Sequence, residues 1–158
     1  MSALSTRPRP LDDREFSELV RLGPLVAIDL ILCDPKNHVL VALRNNEPAK
    51  GFYLVPGGRI RKDETIKSAF AAILREETGC RAEITQAQLL NVNEHMYANN
   101  RWGGVGYGTH YVVLAYRLQL DHRPTITLDG QHSAIKWLTP NELLELDDVH
   151  PFTKRYFL

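Results

Sequence analysis

Between residues 55 and 80 the chain runs from an apolar pair into two adjacent glycines and then into a helix with charged ends. It reads Val55-Pro56-Gly57-Gly58-Arg59, reaches Glu64 with five residues between it and the second glycine, and closes on Leu74-Arg75-Glu76-Glu77-Thr78-Gly79-Cys80. Ile66, Ala69, Phe70, Ile73, Leu74 and Glu77 recur at i, i+3 and i+4, which predicts an amphipathic helix over 64–78 with Gly79 ending it. A strand that delivers a glycine loop to the start of such a helix fixes a loop–helix–loop unit. The rest of the fold has to be built around it.

That unit also limits the chemistry. Residues 73 and 77 lie four apart on one helix face, with 76 nearby. Ile73 is apolar, so the face offers Glu77 and, beside it, Glu76. Magnesium takes hard oxygen ligands and shares its remaining positions with water and substrate phosphates. Two carboxylates and a backbone carbonyl suffice for one such ion and hold a cluster of ions poorly. Arg59 follows the glycines and Arg44 ends the preceding strand; arginine forks suit diphosphate oxygens.

The surrounding pattern alternates helices and strands. Asp12 and Glu15 form a capping box at the start of a helix over 12–22, which Gly23-Pro24 stops. Strands are expected at 25–33, 39–44, 52–55, 89–96, 110–119 and 135–138. A last helix starts at Thr139-Pro140, with Thr as cap and Pro in the first turn. Loops remain at 45–51, 98–108 and 120–131. Elements in this order form a mixed sheet between helices, an α/β/α sandwich in one domain spanning 1–158.

With 158 residues the chain is long enough for a real core, and zero formal net charge gives no footprint for nucleic acid or an anionic membrane. No apolar run reaches the roughly 18 residues that a membrane span needs, and Ser2 to Asp13 lacks the apolar centre of a signal peptide. Two distant cysteines, Cys33 and Cys80, read as reduced, buried thiols of a cytoplasmic protein.

The glycine loop and helix resemble the Nudix box, the signature of hydrolases that cleave nucleoside diphosphates linked to another group. Gly58, Glu64, Leu74, Glu76, Glu77, Gly79 and Cys80 fall on the pattern, while its Arg-Glu pair is replaced by Ala72 and Ile73. The missing acid is usually a metal ligand, and the missing arginine implies that a structural salt bridge is absent. Four further segments are similar to the GDP-mannose mannosyl hydrolases: Gly23 to Asp29, Pro48 to Arg59, Thr109 to Leu114, and Gly130-Gln131-His132. So is Asp147-Asp148-Val149-His150, and the similarity runs from about residue 15 to 157.

The resemblance implies the Nudix fold, a homodimer, and hydrolysis of GDP-mannose, or GDP-glucose, to GDP and free hexose; the amphipathic helix at 12–22 could serve the dimer contact or equally pack on its own domain. Water attacks the anomeric carbon with inversion. Carried onto this chain, the ligands of Mg2+, or Mn2+ in its place, are the Gly57 carbonyl, Glu77 and Gln131. His132 is the general base, near-neutral imidazole being suited to take a proton from water. Arg44 and Arg59 steady the departing diphosphate, Tyr111 supports the same charge, and Asp29 and His95 sit near the sugar. His150 reads as a helix-end or packing residue, and His38 and His122 as turn residues. Glu76, where that family has a small apolar residue, keeps open ordinary Nudix cleavage at phosphorus. A non-catalytic nucleotide-sensing module is the third alternative, although such a module would be expected to lose the loop glycines or Glu77.

Overall fold

The computed structural model describes residues 7–128 and 130–158, so the first part of the N-terminal stretch read for a signal peptide, up to residue 6, and Asp129 of the 120–131 loop lie outside it. The chain begins with α1 (Asp13–Leu22). The Asp12 carboxylate accepts the Glu15 amide at 2.8 Å and the Glu15 carboxylate accepts the Asp12 amide at 3.2 Å, the expected capping box. After Gly23-Pro24 come β1 (Leu25–Cys33) and β2 (Val39–Arg44). The Asp34 side chain closes the turn between them by accepting the Lys36 and His38 amides. The order continues with β3 (Tyr53–Leu54), β4 (Gly57–Arg59), α2 (Ile66–Thr78), β5 (Gln88–Tyr97), β6 (Thr109–Gln119), β7 (His132–Leu138), α3 (Pro140–Glu145) and α4 (Pro151–Lys154).

The sheet is mixed, with strand order β3-β2-β1-β6-β5; β4 joins through β1 and β7 through β2. β1 and β6 run parallel over nine paired residues, from Leu25↔Tyr111 to Cys33↔Gln119. β1 meets β2 only at Cys33↔Val39, and its other half pairs with β4, Asp29 opposite Gly57 and Ala27 opposite Arg59. The two strands therefore diverge above that point, and the glycine-bearing strand is wedged between them.

Alternation along β1 sorts the core into two layers. Ile28, Leu30 and Leu32 pack with Ala69, Phe70, Ile73 and Leu74 of α2 on one face. Ile31 and Cys33 pack with Leu143 of α3 and with Val149 on the other. Helices thus cover both faces, as the order of elements implied. Asp29 belongs to the second face, where β1 leaves β2; this is how a carboxylate comes to interrupt an otherwise apolar strand.

Several boundaries move. α2 starts at Ile66 rather than at Glu64: Thr65 is the N-cap, accepting the Ser68 amide at 3.0 Å, so Glu64 belongs to the preceding turn. Gly79, with φ +76°, ends the helix in the left-handed region as expected. β7 begins at His132, three residues early, because a bulge in β2 between Ala42 and Arg44 sets Arg44 opposite His132. β4 and α4 were not foreseen; two of three residues in β4 are glycines, and α4 is a single turn. His150 is the α4 N-cap, its Nδ1 accepting the Phe152 amide at 3.1 Å, the helix-end role expected of it. Neither cysteine is in a disulfide; Cys33 is buried, but Cys80 is only half-buried, since it follows Gly79 out of the helix. Among the described residues no helix is long and apolar enough to cross a membrane.

Candidate active site

A cleft of about 360 Å³ opens where β1 and β2 diverge. All nine residues singled out from the sequence line it: Asp29, Arg44, Gly57, Arg59, Glu77, His95, Tyr111, Gln131 and His132. They come from β1, β2, β4, β5, β6, β7 and α2, so the site exists only once the sheet has closed.

The glycines are required by close approach. A Cβ on Gly57 would lie 2.5 Å from the Asp29 carboxylate and 2.6 Å from the Ile28 carbonyl. A Cβ on Gly58 would meet Ile73 Cγ1 at 3.2 Å. Ile73 itself is 2 % exposed and belongs to the α2 core layer. The position that could have carried a box acid is therefore packing under the loop, and its face of the helix supplies no third carboxylate.

Glu77 keeps its carboxylate on the cleft. His132 Nδ1 lies 3.8 Å from Glu77 Oε2, and both side chains are largely buried, at 14 % and 16 % exposure. The neighbouring Asn45 amide donates to the Gln131 carbonyl at 2.8 Å, which ties the β7 entry to the end of β2. Arg44 Nε donates to the Asn46 carbonyl at 2.9 Å, and its charge acts on both Asp29 and Tyr111. Among the described residues no group of three His, Cys, Asp or Glu side chains gathers to hold a metal. Glu77, Gln131 and Gly57 all line the cleft, and these residues carry a carboxylate, a side-chain amide and a backbone carbonyl. All are hard oxygen donors of the kind magnesium takes.

A second cluster lies deeper. Burial pushes the Asp29 carboxyl up to about 7, even though a hydrogen bond from Tyr156 and the charge of Arg44 pull it down. The Tyr156 hydroxyl donates to Asp29 Oδ2 at 2.6 Å and lies 3.4 Å from His95 Nε2. His95 is 5 % exposed and stacks on Phe152 with ring centres 4.6 Å apart. Burial, and then the charges of His150 and Arg155, hold its pKa down to about 4. His95 is therefore neutral at ordinary pH, suited to hydrogen bonding and too weak a base to take a proton from water. Burial also raises the Tyr111 hydroxyl, which stays protonated beside Arg44 and Arg59.

α1 packs on its own domain, one of the two roles open to it: Phe16 meets Trp102 edge-on at 5.4 Å, and the Arg59 guanidinium sits 5.1 Å above the Phe16 ring. Sequence reasoning missed two contributors. Tyr156, near the C-terminus, was invisible because an aromatic beside a polar turn carries no signal by itself. The second is Arg7. Its Nε and Nη2 donate to the two Glu64 oxygens at 2.7 and 2.9 Å, and its Nη1 to Glu76 Oε2 at 2.8 Å. Glu64 thus has a cationic partner although residue 72 is alanine, and that cation comes from outside the helix. Burial alone would raise the Glu64 pKa; the Arg7 fork and the Arg61 amide hold it below the usual carboxylate range.

This fold, with a glycine loop leading into a carboxylate-bearing helix on a cleft, defines a Nudix domain. The NUDIX domain profile matches residues 23–158, and the chain belongs to the Nudix family. It is 33 % identical over 146 residues to the low-salt glycan biosynthesis protein Agl8 of Haloferax volcanii, covering 92 % of this chain and 88 % of that one. A shorter match, 40 % identical over 58 residues, is to the ADP-ribose pyrophosphatase of Methanocaldococcus jannaschii, covering 37 % of this chain and 34 % of that one. Among solved structures, the MutT NUDIX hydrolase of Burkholderia pseudomallei superposes with a TM-score of 0.70 at 23 % identity, over 85 % of this chain and 96 % of that one. The NUDIX domain of Shewanella oneidensis NrtR, in complex with ADP ribose, gives 0.64 at 18 % identity, over 93 % and 95 %. At these identities the two structures speak to the fold.

Proposed function

We propose that this Nudix hydrolase cleaves a GDP-sugar, GDP-mannose in the first place, at the anomeric carbon, releasing GDP and free hexose with inversion. The observation that carries the reading is the pairing of His132 with Glu77 across the cleft, at 3.8 Å, together with the burial of Ile73 where a further box acid would stand. One carboxylate on the helix face beside one histidine suits a site that handles a diphosphate leaving group and activates water separately. The 33 % identity to a protein named for glycan biosynthesis supports a sugar-bearing substrate.

His132 accepts the proton of the attacking water. As the water oxygen bonds to the anomeric carbon, the bond from that carbon to the phosphate oxygen breaks and its electron pair leaves with GDP. Arg44 and Arg59 face the growing charge on the diphosphate, and the protonated Tyr111 donates to it. Asp29, bridged to neutral His95 by the Tyr156 hydroxyl, presents hydrogen-bonding groups for sugar hydroxyls. A magnesium or manganese ion held by Glu77, Gln131 and the Gly57 carbonyl would neutralise diphosphate charge. The reading needs no nucleic acid or membrane. The homodimer implied by the resemblance has support in apolar side chains left exposed on edge strand β5, Val92 at 57 % and Met96 at 59 %.

Hydrolysis at phosphorus is the second reading. It is favoured by Glu76, which lines the cleft, and by shorter matches to proteins named as pyrophosphatase and diphosphatase. Incubation with GDP-mannose and magnesium in heavy-oxygen water separates the two. Label in the free hexose is expected; label in GMP or sugar phosphate would promote cleavage at phosphorus and end the first reading.

A further inference from the structure

The helix arginine of the box is missing, yet Glu64 is retained and its side chain is only 1 % exposed. A carboxylate buried to that degree is costly unless a cation and hydrogen bonds meet it. Arg7 does so from a segment that precedes α1. Its side chain is 10 % exposed, grips Glu64 through two parallel bonds, reaches Glu76 with its third nitrogen, and donates from Nη2 to the Arg59 carbonyl at 3.3 Å. Arg61 Nη1 fastens the same segment by donating to the Pro8 carbonyl at 2.8 Å. Only a planar guanidinium can fork onto one carboxylate and still present a donor to a second.

Glu76 is thereby ion-paired to Arg7 at 2.8 Å. Its side chain remains 46 % exposed, so water and ions can reach it. A dication placed at Glu76 would sit beside the Arg7 guanidinium, where like charges repel. We propose that Arg7 is a positioning residue that sets the metal content of the site: by ion-pairing Glu76 it keeps that carboxylate from holding a second divalent ion, so that one ion is bound. Residues 7–10 are on this view a strap that meets the buried Glu64 carboxylate and also prevents a second ion from entering. The inference rests on the proposed metal set at Glu77, Gln131 and Gly57.

The test counts Mn2+ ions bound per chain, by calorimetric titration with the free ion followed by paramagnetic resonance, in the absence of substrate. Wild type should bind one ion, Arg7→Met two, and Arg7→Met with Glu76→Gln one again. A merely structural arginine would alter melting and leave the count at one. If Arg7→Met does not melt cooperatively, Arg7→Met with Glu64→Gln leaves no unpaired buried carboxylate and should bind two. One ion in the variants that release Glu76, or two in wild type, would overturn the proposal. No ion in wild type would instead overturn the metal set itself, and the inference with it.

Discussion

Asp29 and His95 should impose opposite pH dependences on stability, and replacing either should expose the other. Raising the Asp29 carboxyl from its ordinary 3.8 to about 7 makes the folded chain hold a proton that the unfolded chain releases. Between those values stability falls as pH rises, by roughly 1.4 kcal/mol per pH unit and at most about 4 kcal/mol in all. Lowering His95 from 6.5 to about 4 does the reverse, because the unfolded chain binds a proton the folded one refuses. Stability then climbs by about the same slope between pH 4 and 6.5. Wild type should show little net slope from this pair over that window. Asp29→Asn keeps an acceptor for the Tyr156 hydroxyl and abolishes the fall. Its stability relative to wild type should grow steadily from pH 4 to pH 7 and then level off. Urea unfolding followed by tryptophan fluorescence, in chelator so that no cation alters the field at Asp29, measures this directly. A difference between variant and wild type that is constant to about 0.5 kcal/mol across pH 4.5, 6 and 7.5, well inside the roughly 4 kcal/mol at stake, would refute the raised carboxyl.

His132→Gln should lower turnover roughly 10²- to 10⁴-fold with little change in substrate affinity, and the pH–rate profile should lose its acidic limb; near-normal turnover would place the base elsewhere, and His95, held neutral, would be a poor replacement. Arg44→Gln and Arg59→Gln should each lower kcat and raise KM in steady-state assays, because diphosphate charge is present in the ground state and grows in the transition state; a change in KM alone would show that neither aids departure. Gly58→Ala should cost about 1–3 kcal/mol in thermal unfolding because the new methyl meets Ile73 Cγ1 at 3.2 Å and Cγ2 at 3.3 Å, and the loss should be smaller in an Ile73→Ala background, which lacks both atoms. Equal losses in both backgrounds would show that Ile73 is not what the glycine accommodates.

Which parts of the molecule were legible in the sequence depends on the range of the interactions. Caps and terminators act over three or four residues, so Asp12 with Glu15, Thr139 with Glu142, and Gly79 could be read directly and stand where expected. The cleft residues were legible only as a motif, since nothing local says that β1, β4 and β7 converge. Pairings that depend on sheet closure escaped: the bulge that sets Arg44 opposite His132, and the Tyr156 hydroxyl that joins Asp29 to His95 from 127 residues away. Proton affinities escaped for the same reason, because burial decides them and burial is a property of the assembled fold.

Arg7 is the instructive case. It lies 57 residues from Glu64, in a run of alternating arginine and proline that reads as a solvated tail. No periodicity or spacing could have linked the two. Yet the signal was present as an imbalance: the box had lost its arginine at Ala72 and kept the acid at Glu64. Had Glu64 been free to face water, losing the arginine would have carried little penalty, as exposed ion pairs contribute little. Because Glu64 packs between the loop and the start of α2, a cation had to come from elsewhere, and a long planar fork is the side chain able to supply it from a distant segment. A retained acid beside a lost base should then be read as a demand on the rest of the chain. Here the same guanidinium that meets the demand also reaches Glu76, so Arg7 couples the N-terminal segment to both ends of the helix region.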